Sequence, residues 1–375
     1  MSDVLPTAVW IKALLFAATV ACALVPLAPA ARTPAPPHAQ RAAATYAAML
    51  KTFAGDKSLL LDHRSESTSR YAHVWPLSQA LDAGLAMAGL PLAKERYASD
   101  VRALLQGLEL YWNGASPARY DSAVRPPHGI GGEEYYDDNV WVGLALVDAS
   151  RRLGDRGALG RAQQAFAFVV SGWREGERDP CRGGVLWKPG STERNTVSTA
   201  GGALLGLELL RETRNPEYLR EARRMYGWVR GCLRDRQGLY WDNIKATGAI
   251  DRTRWSYNQG AMIGAGVLLY RWTGDRAYLR QAETTARTAL RLYGARRYAG
   301  ERSSYVAIFF HNLWLLHRVR PDAAYVRAIE GYAERRWRSA RQRGSGLFRR
   351  SPARAPTLID QASMVKIYAD LAAKP

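Results

Sequence analysis

Leu153-Gly154-Asp155-Arg156-Gly157-Ala158-Leu159 recurs as Thr213-Arg214-Asn215-Pro216-Glu217-Tyr218-Leu219 and again as Thr273-Gly274-Asp275-Arg276-Ala277-Tyr278-Leu279, 60 residues apart each time. Ala162, Ala222 and Ala282 keep the same register, as do Val169, Val229 and Ala289. A fixed period of this length marks a stacked architecture of repeated supersecondary units. Each unit has an apolar helix rich in Gly, Ala and Leu, a tight turn, a charged amphipathic helix, and a Gly-rich loop with aromatics.

The two helices of a unit differ in polarity. Gly143-Leu144-Ala145-Leu146-Val147, Gly201-Gly202-Ala203-Leu204-Leu205 and Gly264-Ala265-Gly266-Val267-Leu268-Leu269 are apolar nearly all round, as buried helices are. Their partners carry charge at solvent spacing, as in Arg220, Glu221, Arg223 and Arg224, and Asn215-Pro216 puts proline at a helix start, where its missing N–H costs nothing. Looser pairs flank the three units, from about Arg41 to Tyr111 and from Ser304 to Leu371, and no segment alternates as a strand does. The expectation is an all-α fold, an (α/α)6 barrel of about twelve helices in six inner/outer hairpins, forming one domain over 41–375. An open solenoid is the alternative; unequal ends and long loops on one side favour closure.

The N-terminal segment reads as an export signal or anchor over 1–30. Lys12 precedes the uncharged run Ala13 to Val25, and Ala28-Pro29-Ala30 offers a small-x-small cleavage site. A Pro-rich linker is expected over 31–40. The formal charge is +19, and of 53 basic residues eight are Lys, leaving 45 Arg. The arginines are scattered along outward helix faces, and no zinc spacing, basic zipper or RNA-binding signature supports nucleic-acid binding. Attraction to an anionic envelope is a secondary expectation. Cys181 and Cys232 would remain after cleavage and would be able to pair in an oxidising compartment. No metal-ligand cluster or cofactor motif is visible, and a monomer is expected.

If all inner helices run the same way, the loops entering them gather at one face. One inner start, Gly131-Gly132-Glu133-Glu134-Tyr135-Tyr136-Asp137-Asp138-Asn139-Val140-Trp141, sets four carboxylates within six residues. Taken alone it reads equally as acidic residues favoured at a helix N-terminus or as an acid/base pair whose mutual repulsion separates the two pKa values. The other starts bring Arg194-Asn195-Thr196, Trp255-Ser256-Tyr257-Asn258-Gln259 and Ser303-Ser304-Tyr305, and the loops add Trp187, Tyr240, Trp241 and Asp242. Flat aromatics beside Asn, Gln, Asp and Tyr suit sugar rings, with their apolar C–H faces and many hydroxyls. The bias toward 12 Trp and 19 Tyr against 7 Phe fits that inventory.

Tyr136-Asp137-Asp138-Asn139-Val140-Trp141 resembles the Asp-Asp-Asn-x-Trp motif of glycoside hydrolase family 76, the α-1,6-mannanases. Asp251 to Ala261, running on to Tyr270-Arg271-Trp272-Thr273-Gly274-Asp275, resembles that family's second signature. The likeness covers roughly 41–372. It implies an (α/α)6 fold and retaining, endo-acting hydrolysis of α-1,6-mannosidic bonds in a mannan-type polysaccharide. Asp137 matches the nucleophile and Asp138 the acid/base. Tyr136, Asn195, Trp187, Trp241, Asp242, Trp255, Tyr257, Asn258 and Gln259 are expected to contact sugar, while Asn139 and Trp141 support the pair. The segment Ser198-Thr199-Ala200-Gly201-Gly202 is smaller than the pattern leads one to expect, which bears on subsites. Rival readings are a transglycosylase remodelling envelope glycans, a non-catalytic mannan-binding protein, and a histidine-based epimerase.

Overall fold

The computed structural model describes residues 37–62, 70–91, 94–174 and 181–373; the signal or anchor reading over 1–30 lies outside them. Twelve α-helices fall in these residues: α1 Pro37–Phe53, α2 Val74–Ala88, α3 Lys94–Leu108, α4 Tyr136–Leu153, α5 Arg156–Ser171, α6 Thr196–Thr213, α7 Pro216–Cys232, α8 Ser256–Thr273, α9 Arg276–Gly300, α10 Ser303–His317, α11 Ala323–Ser339 and α12 Leu358–Ala372. The even-numbered helices form a closed inner ring: α2 packs on α4, then α6, α8, α10 and α12 follow, and α12 returns to α2. Each outer helix packs on the inner one before it, and α1 packs on α12, so the sixth pair joins the two ends of the domain. That pair is not a hairpin, a correction to the expected six. Of the linker expected over 31–40, residues 31–36 lie outside the described residues and Pro37 to Gln40 belong to α1.

The repeated turn explains itself residue by residue. α4 and α8 end on Gly154 and Gly274 in the left-handed region, and Arg214 takes the equivalent place after α6 with φ of 61°. The next residue caps the following helix: Asp155 accepts from Ala158 N–H, Asn215 from Glu217 N–H and Asp275 from Ala277 N–H. Inner helices are then buried nearly throughout, and in α8 every residue from Ser256 to Leu269 is buried. Glycine permits their close approach, since a Cβ at Gly260 would lie 2.7 Å from the Phe309 backbone. On α7 the buried stripe Tyr218, Ala222, Met225, Tyr226 and Val229 follows helical periodicity, with Arg220 and Arg223 exposed. Glu221 departs from its expected solvent exposure, being buried against Arg224.

The loops entering the inner helices carry five two-residue strands: β1 Trp112–Asn113, β2 Arg119–Tyr120, β3 Arg194–Asn195, β4 Asn243–Ile244 and β5 Ile250–Asp251. β1 pairs with β2, and β3–β4–β5 form an antiparallel sheet. A side chain at the fourth position of an inner helix grips the loop before it. Asn139 accepts from Tyr120 N–H at 2.8 Å and donates to its carbonyl at 3.0 Å. Gln259 does the same to Tyr240 at 2.9 and 2.8 Å, and Gln361 to Phe348 at 2.7 and 2.9 Å. In α6 the hydroxyl of Thr199 accepts from Val185 N–H at 2.9 Å. Asn139, Thr199 and Gln259 stand 60 residues apart, so the repeat encodes the clamp as well as the turn. Cys181 lies in the loop before α6 and Cys232 ends α7; Trp228, one turn ahead of Cys232, donates its indole N–H to the Cys181 carbonyl at 3.3 Å.

Candidate active site

All inner helices point their N-termini at one face, where a cleft of about 440 Å3 opens. Asp137 and Asp138 occupy the first turn of α4 after Tyr135, which precedes the helix in extended conformation. Both are half-buried in the cleft, and protein surrounds their carboxyls. Burial pushes Asp137 up to about 7, against the relief offered by the backbone N–H groups of Asp137 and Asp138 and by the Trp187 indole. Asp138 rises well above the carboxylate range through burial and then through the charge of Asp137. Its shift shows no such hydrogen-bond relief. The pair therefore loses its first proton at Asp137 while Asp138 keeps its own. Desolvation outweighs the helix dipole here, since the dipole supplies only about half a charge at the N-terminus.

A third carboxylate joins them. Asp242, beside β4, accepts from Asn258 Nδ2 at 2.9 Å and from Asn243 Nδ2 at 3.1 Å, and burial raises its pKa. Around the carboxylates stand Trp187, Trp255, Tyr257 and Asn195, as expected, with Tyr305 gathering the aromatics of two other helices. Its ring lies 4.1 Å from Tyr257, 5.6 Å from Trp255 and 6.1 Å from Trp75. Three buried oxygens of the cleft lining have no hydrogen-bond partner among the described residues: Asp137 Oδ1, Asn195 Oδ1 and Asn243 Oδ1. These are acceptors, and the Trp75 indole N–H of the same lining is likewise unpartnered, so the cleft offers mostly acceptors and one donor to a ligand.

The remaining expected contacts divide. Tyr136 turns into the core, stacked on Phe168 at 4.5 Å, and Tyr135 lines the cleft in its place. Asn258 is fully buried and acts on Asp242, and Gln259 is a loop clamp rather than a cleft residue. Trp241 lies outside the cleft lining, with the Arg252 guanidinium 5.4 Å above its ring. Glu133 pairs with Lys188 and Tyr135, and Glu134 with Arg119 at 2.6 Å, so neither faces the aspartates. Asn139, expected to support the pair, bonds the Tyr120 and Tyr135 backbone, and Trp141, expected beside it, itself lines the cleft. His73, Trp75, Asn243 and Arg302 were missed as lining residues, and Tyr305, brought to the mouth by its inner-helix start, was given no role there.

Fold and site together define the class of carbohydrate-active (α/α)6-barrel enzymes. The chain belongs to glycosyl hydrolase family 76, whose family model matches residues 38–347. Among curated proteins it is similar to mannan endo-1,6-alpha-mannosidase DCW1 of Candida albicans, at 27% identity over 159 residues, 38% of this chain and 34% of that protein. The DCW1 protein of Saccharomyces cerevisiae is 27% identical over 156 residues, 37% of this chain and 34% of that one. The matched stretch thus spans about a third of the length of these relatives. Among solved structures, the family 76 mannosidase Bt3792 from Bacteroides thetaiotaomicron has a TM-score of 0.80 at 24% identity, covering 89% of this chain and 98% of that one. An α-1,6-mannanase of Salegentibacter, solved as an inactive variant with two adjacent aspartates replaced by asparagine and with α-1,6-mannotriose bound, has a TM-score of 0.73 at 21% identity, covering 89% and 99%. The last two show the fold.

Proposed function

We propose that the protein is a retaining, endo-acting glycoside hydrolase for α-1,6-mannosidic linkages in a mannan-type envelope polysaccharide. The observation that carries this reading is the meeting of an unequal carboxyl pair with three unsatisfied acceptors in an aromatic cleft. Sugar hydroxyls are the donors those acceptors await. The mannan linkage comes from the relatives whose names state it. Asp137, ionised first, attacks the anomeric carbon while Asp138 protonates the leaving oxygen; the glycosyl ester on Asp137 is then hydrolysed by a water that Asp138 deprotonates. Retention requires carboxyl groups about 5 Å apart, a separation that adjacent side chains in a first helical turn can adopt. Asn195, Asn243 and Asp242 with Asn258 orient hydroxyls, and Trp187, Trp255 and Tyr257 stack on rings.

Export, envelope association through the basic surface and a monomeric state belong to the same proposal; among the described residues no helix is long and apolar enough to cross a membrane. The test is incubation with α-1,6-mannooligosaccharides, following the anomeric proton of the first-formed product by NMR. The expected result is internal cleavage to an α-configured product. A β-configured product would overturn the role of Asp137, elongated products would shift the reading to a transglycosylase, and binding without turnover would sink both.

A further inference from the structure

Behind the cleft, at the C-terminal ends of the inner helices, lies a second cavity of about 220 Å3. Its charges meet in pairs, Arg151 with Glu208 at 2.5 Å and Lys366 with Asp82. Exposed Arg211, His311 and Arg318 stand at its edge, so it reaches solvent at the face away from the mouth. Two residues line both this cavity and the cleft, Trp141 and Ile308.

Their places in the ring explain why. The packing order α2, α4, α6, α8, α10, α12 sets α4 and α10 on opposite sides of the barrel. Trp141 and Ile308 are each the sixth residue of their helix, so they approach the axis from opposed walls at close to one level. The sixth residues of α6, α8 and α12 are Gly201, Ala261 and Ser363, which leaves Trp141 as the one aromatic of that level. At 1.5 Å per residue it stands about 6 Å deeper than Asp137, on the same face of α4. Trp141 is 7% exposed and Ile308 4%. A buried side chain that borders two separate spaces is the wall between them.

We propose that Trp141, braced by Ile308, is a positioning residue that seals the floor of the reaction cleft and keeps water of the lower cavity away from Asp137 and Asp138. Both aspartates owe their raised values first to burial. Burial behind a wall one side chain thick lasts only as long as the wall, because water reaching a carboxyl from behind restores the solvation its ionised form needs. The seal serves the reaction proposed above and rests on that reading for its purpose: an Asp138 ionised too early has no proton for the leaving oxygen. The other titratable groups of the cleft are His73 before α2, Tyr135 and Glu193 in the loops before α4 and α6, Asp242 and Tyr257 on the α8 side, and Arg302 and Tyr305 on the α10 side. All of them stay in place in the variants below.

The test reads the carboxyls of the free, full-length protein without substrate. Infrared spectra across pH follow the protonated-carboxyl band that Asp138→Asn removes, and in the parent this band should persist through neutral pH. Trp141→Ala should lower its titration by about one unit or more, Ile308→Ala by less in the same direction, and Trp141→Phe should recover most of the difference. A structural role alone would lower Tm and leave the titration where it is. An unmoved band in Trp141→Ala would overturn the seal, as would an unmoved band in Ile308→Ala should Trp141→Ala fail to fold, or a Trp141→Phe band no higher than that of Trp141→Ala. Turnover of α-1,6-mannooligosaccharides is read separately. In an active parent the basic limb of kcat/KM should move down with the band in Trp141→Ala, and a fixed limb would overturn the seal. An inactive parent whose bands shift as stated would sink the glycosidase reading and leave the seal standing.

Discussion

At the mouth of the barrel Asp137, Asp138 and Asp242 share a cleft with no cation in ion-pair contact among the described residues, while at the opposite end charges meet in pairs, Arg151 with Glu208 and Glu212 and Lys366 with Asp82. The contrast follows from six inner helices running parallel. Their N-termini give the mouth a positive bias and their C-termini give the other end a negative one. Each end thus tolerates side chains of the opposite sign, and at the mouth the carboxylates left unmatched are available to a ligand. A ring of parallel helices assigns a sign to each face before any functional residue is chosen.

The largest break in that contrast is Asp137→Asn, expected to lower turnover on the order of 10^4-fold. The same change should stabilise the fold near neutrality. Asp137 has a folded value of about 7 against an ordinary value of 3.8, so the folded state holds the proton more tightly. Stability from this group is complete below about pH 4 and is lost as pH rises through about 7, by at most about 4 kcal/mol at 1.36 kcal/mol per unit. Melting curves of parent and variant should coincide near pH 4 and separate by several degrees near pH 8; an equal gain at both would exclude the buried charge as the cause. For the parent, kcat/KM should fall on acidification through about 7, with the apparent values belonging to the pair.

Gln259→Ala tests the scaffold of the mouth rather than its charge. It leaves the Tyr240 N–H and carbonyl buried without their partner, at a cost of roughly 2–4 kcal/mol in denaturant unfolding. Because the Tyr240 loop carries Asp242, kcat/KM should fall about tenfold as well. An unchanged midpoint would show that the loop holds itself. The smallest effect is expected at the other end. Arg214→Gly removes a side chain from a left-handed position where the repeat elsewhere has Gly154 and Gly274. It should stabilise by roughly 0.5 kcal/mol, the relief of about 1 kcal/mol being offset by loss of the stack on Trp272. A destabilised variant would mean that the stack outweighs the strain.

The ring was legible because its turns are local: Gly154 or Gly274 followed by a capping Asp is readable wherever it stands, and the 60-residue spacing does the rest. The aspartate pair was legible for the same reason, being adjacent in the chain. Tyr136 was misplaced because successive side chains at a helix start differ in direction by about 100°, enough to put Tyr135 rather than Tyr136 at the cleft. Gln259 was assigned to sugar because a polar residue in a signature looks functional, whereas its three bonds are to backbone. Trp75 and His73 belong to a different hairpin from the aspartates, and only closure of the ring brings them to the same wall. Sequence distance hides such neighbours.

The pairing of α1 with α12 has a consequence for how the domain comes into being. Arg41 of α1 meets Glu334 of α11, 293 residues away, and stacks on Trp337 at 4.9 Å. Five hairpins can collapse from neighbouring segments as the chain emerges, but the sixth element is assembled from both ends. Its closure must cover the longest sequence separation in the ring, so it is expected as the slow step of folding. Trp75 on α2 and Tyr305 on α10 flank the gap that α12 fills. The cleft is therefore completed only when the final inner helix is seated, and a nascent chain lacking it has Asp137, Asp138 and Asp242 but no finished cleft.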